Sequence, residues 1–160
     1  MNTDRAFLKK AILGLLASVA EERSPGHQEI KADRYVLISK DGIPVEIMFE
    51  KNDDAPPNLW CLERAAGEAL IAALAPKRSP KVELWKKPDQ YGRHSALRVM
   101  PQLGEADLVC FNPGTLAQVG QIIDRLRSVT AADLSCEGCQ SMAASGDIHI
   151  LKSHNIKYPK

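Results

Sequence analysis

Apolar residues recur along the chain in two rhythms. Between residues 3 and 20, Phe7, Leu8, Ala11, Ile12, Leu15, Leu16 and Val19 fall as neighbouring pairs four residues apart, which is one stripe of an α-helix. Thr3 or Asp4 suits the N-cap, and Ser24-Pro25-Gly26 supplies the stop. From Tyr35 the rhythm shortens to two. Tyr35 to Ser39 and Val45 to Glu50 read as strands, joined at Asp41-Gly42, a strong hairpin signal. In the return strand Val45, Ile47 and Phe49 alternate with Glu46, Met48 and Glu50. One sheet face is expected to be buried there and the other wet or partly covered.

A polar loop, Lys51 to Asn58, carries Pro56-Pro57 and leads into a helix expected to run to about Ala75. Its apolar stripe is Leu59, Leu62, Ala66, Ala69, Leu70 and Ala73, and Pro76 closes it. Three strand-like runs follow: Val82 to Lys87, Ser95 to Met100, and Leu108 to Phe111, with Pro88, Gly92, Pro101 and Gly104 at the turns. Asn112-Pro113 is a start signal for a helix bearing Leu116, Val119, Ile122, Ile123, Leu126 and Val129 on one face. Residues 130–147 are small and polar, a loop or a short helix, and Ile148 to Leu151 reads as a last strand.

This order predicts one α+β domain over residues 1–160. It comprises an N-terminal helix (1–23), a core (24–130) and a small-residue region with a Cys/His tail (131–160). The helix expected between Glu50 and Val82 is long enough for a parallel crossover, while the short turns after it imply antiparallel neighbours. The expectation is therefore a mixed sheet of about five to six strands with three helices, in two or three layers.

Composition bounds the function. The chain has 160 residues, 44% of them apolar and 26% charged, with four cysteines. That permits an ordinary core and excludes collagen-like and disulfide-dense scaffolds. No apolar run approaches the ~18 residues of a membrane span, so no membrane partner is expected. A cytoplasmic setting follows from this reading. The alternative is export, with Lys9-Lys10 and the run Ala11 to Ala20 forming a leader cleaved after Ala20.

Net charge is +1, yet the charge is unevenly spread. Residues 76–98 hold seven basic residues (Lys77, Arg78, Lys81, Lys86, Lys87, Arg93 and Arg98) against Glu83 and Asp89, whereas the remainder holds 14 basic and 18 acidic residues. Trp85 and Tyr91 lie within the basic stretch. Cations position phosphates and aromatic faces stack bases, so these nine cationic and aromatic residues form a candidate face for nucleic acid, a nucleotide or another anionic ligand. The competing reading is a pair of solvated strands whose lysines keep an edge soluble.

Two chemical constellations stand apart from that face. Cys136 and Cys139, followed by His149 and His154, give the spacing C-x2-C-x9-H-x4-H. Four such ligands suit tetrahedral zinc, though the middle spacing is shorter than in a C2H2 finger. Cys61 and Cys110 fall inside apolar patterns and read as core residues. The corner Gly92-Arg93-His94-Ser95 sets a cation, a titratable base and a hydroxyl side by side.

Residues 58–151, read as helix, three strands, helix and strand, resemble in element order the αβββαβ core of PD-(D/E)XK nucleases. That family gathers Mg²⁺ with an acid on its second core strand and an acid-x-Lys on its third. Pro88-Asp89 and Glu105-Ala106-Asp107 stand at the corresponding places, with Asp107 where the family has lysine. The resemblance implies a metal-dependent nuclease or hydrolase using Asp89, Glu105, Asp107 and His94. A third reading is a protein-binding inhibitor or immunity-type factor, using the acidic loop Glu50 to Asp54 and the open hairpin face. No nucleophile elbow, P-loop or dinucleotide fingerprint occurs, so binding through residues 77–98 is the preferred reading.

Overall fold

Gly42 adopts φ +78°, closing the hairpin that the Asp-Gly pair announces. In the computed structural model, which describes residues 3–84 and 91–135, this hairpin pairs β2 (Ala32–Ile38) with β3 (Pro44–Glu50). It is the centre of a six-stranded sheet. The other strands are β1 (Glu21–Arg23), β4 (Leu59–Leu62), β5 (Lys77–Ser79) and β6 (Leu108–Phe111), in the order β1-β2-β3-β4-β6-β5. Among the described residues, four helices complete the α+β fold: α1 (Thr3–Val19), α2 (Glu63–Leu74), α3 (Leu116–Arg127) and α4 (Ala131–Leu134).

Every strand pair is antiparallel, where a mixed sheet is expected from the sequence. The difference starts at residue 59. Leu59 to Leu62 is a strand, and the helix begins only at Glu63. All four residues of β4 are buried, so the strand lacks alternation and its leucines mimic the first turn of a helix. With β4 beside β6, the α2 connection carries the chain across β6 to β5, a strand parallel to β4 but not hydrogen-bonded to it.

Among the described residues, 82–84 and 95–100 are also not strands. Lys81–Glu83 is a 3₁₀ turn, and Ser95–Val99 is a second one, capped by His94. Among the described residues, Leu108–Phe111 alone of the three central strands expected for the nuclease core is formed. Residues 85–90 lie outside the described chain, as do the Cys/His tail and the expected strand Ile148 to Leu151.

Strand register separates the two faces of the sheet. Tyr35, Leu37, Val45, Ile47, Phe49 and Leu59 share one face, and β2 meets α1 and α3. Glu46, Met48, Glu50, Trp60 and Cys110 share the other. That second face, expected to be wet or partly covered, is covered by the segment 91–104. Glu46, only 2% exposed, accepts hydrogen bonds from the Gln102 and Leu103 backbones at 2.8 and 3.2 Å and holds Arg34 in an ion pair. Ala96, Leu97, Met100 and Leu103 of the covering segment join the core. Covering requires close approach: a Cβ built on Gly104 would lie 2.9 Å from the Arg98 carbonyl oxygen. The exposed face imagined for a protein partner on the hairpin is thus internal.

Helix faces follow the sequence with informative exceptions. On α1, Ile12 and Leu16 are fully buried and Phe7 is exposed, so the buried line is rotated from the expected stripe. Lys9 is folded inward and donates to the Asn52 carbonyl. In α3, Val119, Ile122, Ile123 and Leu126 are buried as expected, while the helix starts at Leu116 behind the cap Thr115 rather than at Asn112-Pro113.

Gly67 breaks α2 with φ 74° and ψ 154°, a conformation essentially reserved for glycine. The break explains why Ala65, Ala66 and Ile71 are buried whereas Ala69 and Ala73 are exposed. Arg125 of α3 fills the gap. Its Nε donates to the Ala65 and Ala66 carbonyls at 3.0 and 3.1 Å, and its Nη2 pairs with Asp133 of α4. A Cβ on Gly67 would lie 3.1 Å from Arg125 Nε. Gly67→Ala is therefore expected to cost about 2–3 kcal/mol, read as a lowered urea midpoint with an unchanged slope.

Candidate functional site

The end of β4 runs directly into α2, so the first turn of that helix faces the loop leading into β6. Glu63 N–H donates to the Asp107 carbonyl at 3.0 Å, and Asp107 Oδ1 accepts the Lys81 N–H at 2.7 Å. These two bonds fix the walls of a cleft of about 740 Å³. Glu63, Arg64, Gly67 and Glu68 line it from α2, Lys81 from the 3₁₀ turn, and Glu105, Ala106 and Asp107 from the loop before β6. Ser135, just past α4, completes it. Its size is in the ordinary range of ligand sites, roughly 300–1,000 Å³. Four carboxylates meet two cations in its lining.

Arg78 lies at the rim. Its guanidinium bridges two of the carboxylates, pairing with Glu63 and, at 2.8 Å, with Glu68. The hydrogen bond to Glu68 and the neighbouring charge of Glu63 hold Arg78 firmly protonated. The break at Gly67 helps to set this geometry, because the glutamates at 63 and 68 stand on opposite sides of it.

The candidate basic face is divided by the fold. Lys77 and Arg78 belong to β5, which pairs with β6, and both are exposed. Lys81 is exposed at the cleft. Arg93 is turned inward and only 9% exposed. Its Nε donates to Ser79 Oγ at 2.8 Å and its Nη2 to the Ala106 carbonyl at 2.6 Å. Further bonds reach the Ser79 and Leu103 carbonyls. Tyr91 is half-buried and its hydroxyl donates to the Gly104 carbonyl at 2.7 Å, with burial raising its pKa. Arg98 is exposed on the second 3₁₀ turn. Trp85, Lys86 and Lys87 lie outside the described residues. Thus Arg78 is matched by carboxylates, Arg93 ties the covering segment to β5, and Tyr91 ties the two ends of that segment together.

The catalytic candidates are dispersed as well. Glu105 and Asp107 share the cleft, with Asp107 engaged as a backbone acceptor. His94 lies away from that lining, where its Nδ1 accepts the Ala96 N–H at 3.2 Å. Burial lowers the His94 pKa, Lys31 and His27 push the same way, and Glu50 opposes them. Asp89 lies outside the described residues. Among the described residues, no three His, Cys, Asp or Glu side chains gather where one metal ion would join them. The zinc candidates Cys136, Cys139, His149 and His154 lie outside the described residues.

Cys61 and Cys110 are buried in β4 and β6, and burial pushes each thiol up to about 12. Thiols held protonated at neutral pH are core residues, not nucleophiles. Beside Cys110, Glu50 accepts Trp60 Nε1–H at 2.7 Å and Asn58 Nδ2–H at 3.1 Å. Glu50, assigned from the sequence to an acidic surface loop, is instead an interior acceptor, and Asp53 and Asp54 remain at the surface.

Sequence reasoning named Arg78, Lys81, Glu105 and Asp107 for separate roles. It missed Glu63, Arg64, Glu68 and Ser135, which the fold places around the same space. Gly67 was the available signal, since a glycine in the middle of a helical pattern marks a bend or a close approach. The chain matches no known family model, no curated protein and no solved structure. Among the described residues no helix is long and apolar enough to cross a membrane.

Proposed function

We propose that the chain is a small binding protein whose partner is a polypeptide presenting a lysine or arginine to the cleft beside α2. The observation that carries this reading is the convergence of Glu63, Glu68, Glu105 and Asp107 on one concavity, with Arg64 and Lys81 as the opposing charges. Arg78 supports it from within the chain by showing that this wall accepts a guanidinium: it occupies Glu63 and Glu68, and an incoming cation would pair with Glu105 and Asp107 of the same lining. A cationic side chain entering the cleft would meet carboxylates in a partly desolvated space, where charge pairing selects partners. The nucleic-acid reading is weakened, because Arg78 and Arg93 are engaged within the protein.

The test is titration of the full chain with a labelled Lys/Arg-bearing peptide and its Glu-bearing counterpart. The basic peptide is expected to bind, more weakly as salt is raised, and the acidic one is not. Glu105→Lys should weaken binding about tenfold or more, the equivalent of 1.4 kcal/mol. Equal affinity for both peptides would overturn the reading. So would low-salt binding of single-stranded DNA that Lys77→Glu or Lys81→Glu abolishes, and that result would reinstate an anionic ligand.

A further inference from the structure

His94 stands where the covering segment meets the loop 24–31 and the end of β3. Its Nδ1 caps the 3₁₀ turn Ser95–Val99 by accepting the Ala96 N–H. Across from it are Glu50 of β3 and, from the loop, His27 and Lys31. Loop and turn are packed together, since a Cβ built on Gly26 would touch Val99 Cγ2 at 3.4 Å. On its own segment Arg93 points into the interior and Arg98 lies exposed. A ring nitrogen that accepts a hydrogen bond carries no proton, so the cap requires neutral imidazole with its hydrogen on Nε2.

We propose that His94 is a proton-operated latch for the covering segment. In the neutral form Nδ1 holds the Ala96 N–H and keeps Ala96 and Leu97, both fully buried, seated in the core. Protonation puts a hydrogen on Nδ1, facing another hydrogen. It also sets a new positive charge near Lys31 and His27. Glu50, which accepts from Asn58 and Trp60, partly compensates for that charge but does not give Nδ1 back its lone pair. Burial makes the folded state the weaker proton binder. The latch therefore contributes fully above the ordinary histidine value of about 6.5, and its contribution is lost as pH falls below that value and through the folded-state value. Released, the turn uncovers the sheet face that carries Met48, Trp60 and Cys110. This latch is independent of the cleft and does not rest on the binding reading.

Amide exchange of the full chain by NMR, corrected for intrinsic rates, tests the idea between pH 7.5 and 5.5. Protection of the Ala96 and Leu97 amides is expected to fall across this range in the wild type. His94→Asn supplies a capping oxygen that does not titrate, so protection there should stay level with pH. An unchanged wild-type profile, or the same fall in His94→Asn, would overturn the proposal. His27→Ala provides a second reading that leaves the cap intact. Removing a repelling cation should move the fall to higher pH, and its disappearance in that variant would assign the transition to His27 and overturn the latch.

Discussion

Replacing Arg93 with alanine is expected to remove about 4 kcal/mol of folding stability, a large part of the ~5–15 kcal/mol available to a domain of this kind. The reason is the set of groups left behind. Three backbone carbonyls, of Ser79, Leu103 and Ala106, and the Ser79 hydroxyl lose their donor at once. Each buried acceptor without a partner costs about 1–3 kcal/mol. Arg93→Lys should recover only part of the loss, because an ammonium cannot reach in four directions from one plane. Urea unfolding followed by tryptophan fluorescence gives the measurement. A variant as stable as the wild type would return Arg93 to the surface role that its sequence context suggests.

Glu46→Ala should be comparably damaging, at about 3–5 kcal/mol, the usual consequence of deleting one partner of a buried ion pair. Glu46 anchors the covering segment at its far end through the Gln102 and Leu103 amides while neutralising Arg34. Alanine leaves Arg34 without its carboxylate and frees both amides. Glu46→Gln keeps an acceptor and should lose less. Arg93 and Glu46 hold the same segment at two points, so the double variant is expected to be less destabilised than the sum of the single ones. Strict additivity in a double-mutant cycle would show that the segment does not act as one unit.

The legible and illegible parts of this fold divide on physical grounds. The β2–β3 hairpin and the buried side of α3 were readable because a glycine turn and a clean helical stripe are local signals. β4 was not, since a short strand buried on both faces carries no alternation and borrows the look of the helix that follows it. The 95–99 segment failed for another reason. Ala96 and Leu97 enter the core from a 3₁₀ turn while Val99 stays exposed, and the backbone bonds Leu97 N–H to His94 and Met100 N–H to Leu97 that define the turn carry no sequence pattern. At the cleft, Lys81, Arg78, Glu105 and Asp107 were noticed one at a time. Their common location depends on β5 pairing with β6 across a long stretch of chain, and a three-residue strand such as Lys77–Ser79 leaves almost no imprint on sequence. Among the described residues the basic face is interrupted where Arg93 turns inward and where carboxylates of α2 reach Arg78, because charge in a segment says nothing about where carboxylates from elsewhere will arrive.

The sheet ends on both sides in strands of three residues, Glu-Glu-Arg at one margin and Lys-Arg-Ser at the other. Short, charged margins are poor templates for a neighbouring molecule. β1 thus acts as a guard over β2, whose seven residues include Tyr35, Val36, Leu37 and Ile38. Detachment of Glu21–Arg23 would leave that apolar ribbon with open backbone groups, the kind of segment that seeds cross-β aggregates. A strand of only three residues therefore bears on the protein's shelf life in concentrated solution more than its size suggests.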